Sequence, residues 1–276
     1  MIVLVITIIV VIIIISSWFY YYCTFSSVGK KTRHSIPTMT TTLPPRSITL
    51  EDLPIYCINL ESESERRSYI EKSFSDQGLH INMVPAVDTR GELWKKYIHH
   101  LTDDGKKCLQ DALYNKKRKH HHELTPGAIG CFLSHVKTWS LLMESDQNVC
   151  LILEDDSSPP PDFSNQLTKI LSKLPSDTDI FLLNHIINGG SKNVDDDIMK
   201  MDPPIAFYYM NCYLITRRGI EKIMNDLDAN NNQFYKQIDS HLSDLINIHV
   251  LQVYFLKEPI CHQVFVSPTT IQTITI

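Results

Sequence analysis

Five consecutive apolar residues, Val149-Cys150-Leu151-Ile152-Leu153, run directly into three carboxylates, Glu154-Asp155-Asp156, and this junction restricts the fold more than any other stretch. A strand with no polar residue has no face to offer to water. It must be covered on both sides, which predicts a central place in a layered α/β sheet. The carboxylates then fall at the C-terminal end of the strand, the edge at which open α/β sheets bind ligands. Ser157, Ser158 and the run Pro159-Pro160-Pro161 stop the strand. Adjacent carboxylates repel one another, so gathering them in a cleft makes sense when a cation sits among them. Hard oxygen ligands favour Mn²⁺ or Mg²⁺ over softer metals. Such an ion can bridge carboxylates and a diphosphate. A solvated acidic turn is the plain alternative, and the wholly apolar strand before it argues against that reading.

The rest of the chain supplies layers for such a sheet. Ile55 to Leu60 is a short strand of β-favouring residues. Ser62 with Glu65 reads as a capping box, Tyr69, Ile70 and Phe74 give helical spacing, and Gly78 is placed to end that helix. A strand near Leu79 to Val84 runs into Pro85-Ala86-Val87-Asp88. Thr125 is an N-cap with Pro126 at the first helical position, and Ile129, Phe132, Leu133, Val136, Trp139 and Leu142 follow along one broad face. Further strands are expected at Asp179 to Leu183, Tyr209 to Ile215 and His249 to Phe255, with a helix at Arg218 to Leu227. Strands alternating with helices predict an α/β domain with a largely parallel sheet covered by helices on both faces. A chain of 276 residues with 43% hydrophobic content can bury one substantial core of this kind. Its 31 acidic and 26 basic residues give a formal charge of -5, too mild and mixed for a nucleic-acid surface, so no nucleic acid is expected as a partner. The 7 cysteines include no CxxC pair, so neither a disulfide framework nor a zinc site is expected.

Met1 to Ile15 carries no charge, and Trp18, Phe19, Tyr20, Tyr21 and Tyr22 follow, which reads as a transmembrane helix ending in an aromatic belt. The region between Cys23 and Ile48 is rich in Ser, Thr and Pro and cannot form a core. The expected organisation is a membrane anchor over 1–23, a stem over 24–52 and a catalytic domain over 53–276. That makes a single-pass protein of an endomembrane. Lys30, Lys31 and Arg33 lie after the span and lean towards a cytosolic domain by the positive-inside rule, with which the lack of any Asn-x-Ser/Thr sequon is compatible. A lumenal domain is the alternative.

Several blocks occur in a telling order. They are Ile58-Asn59-Leu60 with Arg66-Arg67, then Ala86-Val87-Asp88, then Leu124-Thr125-Pro126-Gly127-Ala128-Ile129-Gly130-Cys131-Phe132-Leu133-Ser134-His135. Leu151 to Asp156, Tyr213-Leu214-Ile215, Ile238-Asp239 and the Pro259, Gln263, Ser267 tail complete the series. This pattern resembles glycosyltransferase family 25, the lipooligosaccharide and procollagen galactosyltransferase-like enzymes. The resemblance implies a GT-A fold, a UDP-sugar donor that is usually UDP-galactose, a divalent metal, a glycan or protein acceptor and inversion at the anomeric carbon. Two stretches depart from it. Met210-Asn211-Cys212 stands where the family usually has small residues, and Lys106 to His122 matches no block. The latter reads as a solvated loop, with an acceptor or phosphate contact as the alternative.

By the same resemblance, Asn59, Arg66, Arg67, Ser134, His135 and Glu154 are candidates for the donor nucleotide, and Glu154 and Asp156 for the metal. Asp155 is read as structural. One of Arg66 and Arg67 can pair with diphosphate and the other with Glu63 or Glu71 on the helix surface. His135 is equally readable as a satisfied core histidine. Asp239 opens an apparent helix and is either an N-cap or the base that takes the acceptor hydroxyl's proton. Two other readings use the same residues: a membrane-tethered glycan-binding module without activity, and a metal-dependent nucleotidyltransferase, which would release pyrophosphate rather than UDP.

Overall fold

A computed structural model describes residues 48–264. The anchor expected over 1–23, the stem up to residue 47 and Ser267 lie outside the described residues. Among the described residues no helix is long and apolar enough to cross a membrane.

The apolar run forms β3 (Val149–Glu154), and its alternation divides the core. Cys150 and Ile152 point into one apolar cluster, and Val149, Leu151 and Leu153 into another. Helices cover both faces. The first cluster is closed by α3 (Pro126–Met143) through Ile129, Phe132, Trp139 and Leu142, by α5 (Arg217–Ala229) through Ile220 and Ile223, and by α6 (Ile238–Asn247) through Leu242 and Leu245. The second is closed by α1 (Ser64–Ser75) and α4 (Phe163–Lys173), where Phe74 meets Phe163 edge-on at 5.4 Å between ring centroids. Burial of each such side chain contributes about 1.5–3 kcal/mol. Leu151→Ala in the middle of β3 is expected to cost about 2–5 kcal/mol.

Around β3 the sheet is mixed. With β1 (Ile55–Asn59), β2 (Asn82–Pro85), β5 (Ile180–Leu182), β6 (Ile186–Asn193), β7 (Ile198–Tyr208), β8 (Cys212–Thr216) and β9 (Val253–Leu256), the order is β2-β1-β3-β8-β5-β9-β7-β6. The β1–β2, β1–β3 and β5–β9 pairs are parallel, whereas β8 and β7 are antiparallel to their neighbours. Most strands therefore share one direction, as expected, and the exceptions have a cause. From β5 to β8 no helix intervenes. The chain leaves through β6, returns through β7 and passes Tyr209 at φ 76° into β8, an excursion that can only bring β8 back antiparallel. A small ribbon of β4 (Ser157–Ser158) and β10 (His262–Gln263) lies beside the end of β3.

Local signals hold in part. Thr125 caps α3 by accepting from the Ala128 N–H, with Pro126 at the first position. Gly78, at φ 71°, lets Leu79 N–H return to the Phe74 carbonyl past the end of α1. The Ser62–Glu65 capping box does not form. Helix α1 starts at Ser64 with Glu63 at the N-cap and no side-chain cap, while Ser62 Oγ accepts from Arg90. The Lys106–His122 stretch is also not simply a loop: α2 (Asp103–Asn115) occupies most of it, capped by Thr102 and ended by Lys116 at φ 54°.

Candidate active site

The three carboxylates at the end of β3 diverge because Glu154 closes the strand while Asp155 and Asp156 sit in the turn that follows it. Asp155 turns inward. Asn59 Nδ2 donates to its Oδ2 at 2.7 Å and Arg66 Nη1 to its Oδ1 at 3.0 Å. Burial pushes this carboxyl up from its usual range, and the bonds from Asn59 and Arg66 oppose the shift. The trio ties β1 and α1 to β3, so two of the expected donor residues, Asn59 and Arg66, hold the floor of the site. Arg66 also lines the pocket above it. Arg67 lies elsewhere, exposed on α1 and paired with Glu71 at 3.0 Å.

Glu154 faces the pocket. His135 Nε2 lies 3.1 Å from its Oε1, and Cys131 Sγ 3.9 Å from the same oxygen. Behind the imidazole, His135 Nδ1 is 2.8 Å from the Tyr213 hydroxyl, which accepts from Trp139 Nε1 at 2.9 Å. Because a carboxylate only accepts, His135 donates from Nε2 and accepts from the Tyr213 hydroxyl at Nδ1. The buried chain Trp139–Tyr213–His135 therefore fixes one oxygen of Glu154. His135 is both a satisfied core histidine and a part of the site. Ser134 lines the same cleft, donating to the Gly130 carbonyl at 2.6 Å and accepting from Val87 N–H at 2.8 Å.

Asp156 is the unbalanced group. Its Oδ2 accepts from Gln263 Nε2 at 2.6 Å, while its Oδ1 is buried without a hydrogen-bond partner. Burial, with the Glu154 charge next, pushes the carboxyl up to about 7. An orphaned carboxylate oxygen beside a second carboxylate is costly as it stands and is a fitting ligand for a hard divalent cation. The residues present therefore fit a metal held by Glu154 and Asp156.

Glu154, Asp155, Asp156, Arg66, Val87 and Arg90 line a cleft enclosing about 740 Å³ open to solvent. Its wall requires the glycine at 130: a Cβ there would lie 2.5 Å from Thr89 Oγ1 and from the Val87 carbonyl. Arg90, held on Asp88 at 2.6 Å, stands at the rim as a cation that the sequence did not single out.

A second lobe adjoins the first, sharing Cys131, Glu154 and Gln263. Asp239 lies in it. The helix N-cap is Gln237, not Asp239, whose Oδ1 accepts from Ser240 N–H at 2.7 Å. Burial raises the Asp239 carboxyl to about 6, against the opposing Ser240 bond and Arg118 charge. Arg118 and His121, from the stretch expected as a solvated loop, form a wall with Tyr208, Tyr209 and Gln237. Arg118 Nη1 donates to Gln237 Oε1 at 3.0 Å and to the His121 carbonyl at 2.8 Å. Thr102 followed by two aspartates marks the start of α2 in the sequence, but not this wall.

Residues 52–242 match the family model described as glycosyltransferase family 25 (LPS biosynthesis protein). The chain belongs to glycosyltransferase family 25. Among curated relatives, a glycosyltransferase 25 family member of Aedes aegypti is 37% identical over 117 residues, covering 42% of this chain and 18% of the mosquito protein. Procollagen galactosyltransferase 2 of Homo sapiens is 27% identical over 213 residues, covering 72% of this chain and 31% of the human protein. Procollagen galactosyltransferase 1-B of Xenopus laevis is 28% identical over 182 residues, 62% of this chain and 28% of the frog protein. The chain thus spans less than a third of the length of these family 25 relatives.

Proposed function

We propose that the chain is a metal-dependent glycosyltransferase that moves a hexose, galactose in the first instance, from a UDP-sugar to an acceptor hydroxyl on a glycan or protein, with inversion. One observation carries the reading: the buried, partnerless Oδ1 of Asp156 at the end of β3, beside Glu154 in a cleft of a family 25 domain. A GT-A arrangement fits that placement.

Glu154 and Asp156 would hold Mn²⁺ or Mg²⁺, which when bound neutralises charge on the departing diphosphate. The chain's own groups do the rest. Asp155, paired with Arg66 and Asn59, fixes the strand end, and the His135–Tyr213–Trp139 chain fixes Glu154. Arg66 and Arg90 place positive charge on the first lobe, where the nucleotide diphosphate would lie. In the second lobe Asp239, with its carboxyl near 6, is ionised at neutral pH yet basic enough to take the acceptor hydroxyl's proton. The attacking oxygen would approach opposite the leaving diphosphate, which gives inversion.

Incubating the chain with a panel of UDP-sugars, Mn²⁺ and glycan or peptide acceptors tests the reading. Transfer with release of UDP supports it; pyrophosphate release would favour nucleotidyl transfer, and no turnover of any donor would favour a binding module. The apolar segment Met1 to Ile15 is proposed to anchor the chain to an endomembrane. Protease protection in sealed microsomes would assign the side.

A further inference from the structure

We propose that Cys131, His135 and Glu154 form a site for a borderline-soft divalent cation, Zn²⁺, different in ligand chemistry from the all-oxygen pair of Glu154 and Asp156 and sharing Glu154 with it. The three side chains each bring one ligand atom, all within 4.8 Å of one another. Around Glu154 Oε1 the separations are 3.1 Å to His135 Nε2 and 3.9 Å to Cys131 Sγ. A tetrahedral zinc ion bound at normal lengths sets its N, O and S ligands roughly 3.3–3.5 Å apart. Shifts of a few tenths of an ångström bring the two separations around Oε1 to these lengths, and the third, between Cys131 and His135, lies within 4.8 Å.

The frame is already built for coordination. Cys131 and His135 stand four residues apart on α3 and so share a helix face, while Glu154 ends the fully buried β3. The imidazole is oriented from behind by Tyr213, itself held by Trp139, the kind of outer partner that fixes a ligating histidine. Cys131 and Glu154 also line both lobes, which leaves an open position for water or a ligand. The thiolate supplies the selectivity, because a sulfur ligand favours zinc over Mn²⁺ or Mg²⁺.

The proton inventory sets the character of the site. Without the ion, His135 carries its proton on Nε2 and Cys131 is a thiol. Binding needs the thiolate and the Nε2 lone pair. The thiol proton leaves to solvent, and the imidazole proton moves to Nδ1, where the Tyr213 oxygen accepts it. Tyr213 then loses its own acceptor on Nδ1.

The test uses the full-length, metal-stripped chain in detergent, titrated with Co²⁺ as the spectroscopic probe and then with Zn²⁺. The expected result is a near-ultraviolet thiolate-to-cobalt charge-transfer band with the visible bands of four-coordinate cobalt, erased by Zn²⁺. Cys131→Ser removes the band, and both Cys131→Ser and His135→Gln weaken Zn²⁺ binding at least about tenfold. Asp156→Asn keeps the band. Should Cys131→Ser fail to fold, release of a proton on Zn²⁺ binding to the unmodified chain is the second measurement, and its absence overturns the proposal. A six-coordinate cobalt spectrum without charge transfer, or a band that survives Cys131→Ser, also overturns it. The inference does not rest on glycosyl transfer: a cobalt band in a chain that transfers no sugar would support it, and Mn²⁺-dependent transfer without the band would sink it alone.

Discussion

The two lobes that meet at Glu154 are built differently. The first is assembled from β1, β3 and α3, where sheet ladders and buried hydrogen bonds leave each group one place to go, and a single oxygen, Asp156 Oδ1, is left over. The second is assembled from a loop, the end of β7 and the first turn of α6, held by Arg118 on Gln237 and by the Gln237 N–H on the His122 carbonyl. A rigid lobe with one unsatisfied ligand suits a fixed chemical part such as a metal diphosphate. A lobe of loop and strand-end side chains suits a partner that varies, and it can be altered without disturbing the sheet.

The largest effect should come from the first lobe. Asp156→Asn keeps the size and one oxygen but removes the charge, and transfer is expected to fall about a thousandfold, or roughly 4 kcal/mol of transition-state stabilisation. The fold should survive. Because the folded carboxyl stands near 7, above its unfolded value, its contribution to stability is present at low pH and lost as pH rises through 7. Without metal at pH 8, the thermal midpoint of Asp156→Asn should therefore equal or exceed that of the unmodified chain. A variant with near-normal turnover and an unchanged Mn²⁺ requirement would remove the metal assignment.

Next comes the second lobe. Asp239→Asn is expected to lower kcat about a hundredfold with little change in donor KM, because a base contributes in the transition state and not to donor binding. In the unmodified chain kcat/KM should rise with pH through about 6 as Asp239 ionises, and the variant should lose that limb. A limb that persists in the variant would assign the base elsewhere.

Legibility in the sequence follows the same division. The strand Val149 to Leu153 and the capped helix at Thr125-Pro126 were readable because each is a local pattern with one physical solution. The hairpin of β6 and β7 was not. Strand β6 is exposed along most of its length and so shows no apolar alternation, and Gly189-Gly190 with Pro203-Pro204 look like loop punctuation until the ladder shifts register there. Helix α2 was hidden by its own surface: Lys106, Lys107 and the basic run after it suggest a solvated segment, while Gly105, Leu109 and Ala112 are buried and Leu113 packs against the core. Arg118 and Asp239 meet through tertiary structure across a long stretch of chain, and no local spacing announces that.

Arg118→Met should sharpen the contrast with a smaller effect. Arg118 places positive charge near Asp239 and lowers its proton affinity against burial and the Glu154 charge, so its removal moves the rising limb of kcat/KM to higher pH. Activity at pH 6 is expected to drop about tenfold and to recover in large part at pH 8, with donor KM unchanged. Loss that is equal at both pH values would mean that Arg118 only holds the loop.

The smallest effect is expected at Arg67, and it decides which member of the arginine pair belongs to the site. Its guanidinium is half exposed and bonded to Glu71 one turn along α1, whereas Arg66 is buried on Asp155 under the cleft. An exposed ion pair of this spacing contributes about 0.3–0.5 kcal/mol to a helix. Arg67→Gln keeps a good helix former and a polar tip, so the thermal midpoint should shift by no more than about a degree or two, and kcat/KM for a UDP-sugar should stay within about twofold. Arg66→Gln, measured beside it, should lose far more, because Asp155 would be left buried with only Asn59 to satisfy it. If Arg67→Gln instead raised donor KM tenfold, α1 would have to turn its outer face to the nucleotide, and the first lobe would extend beyond the cleft between β1, β3 and α3.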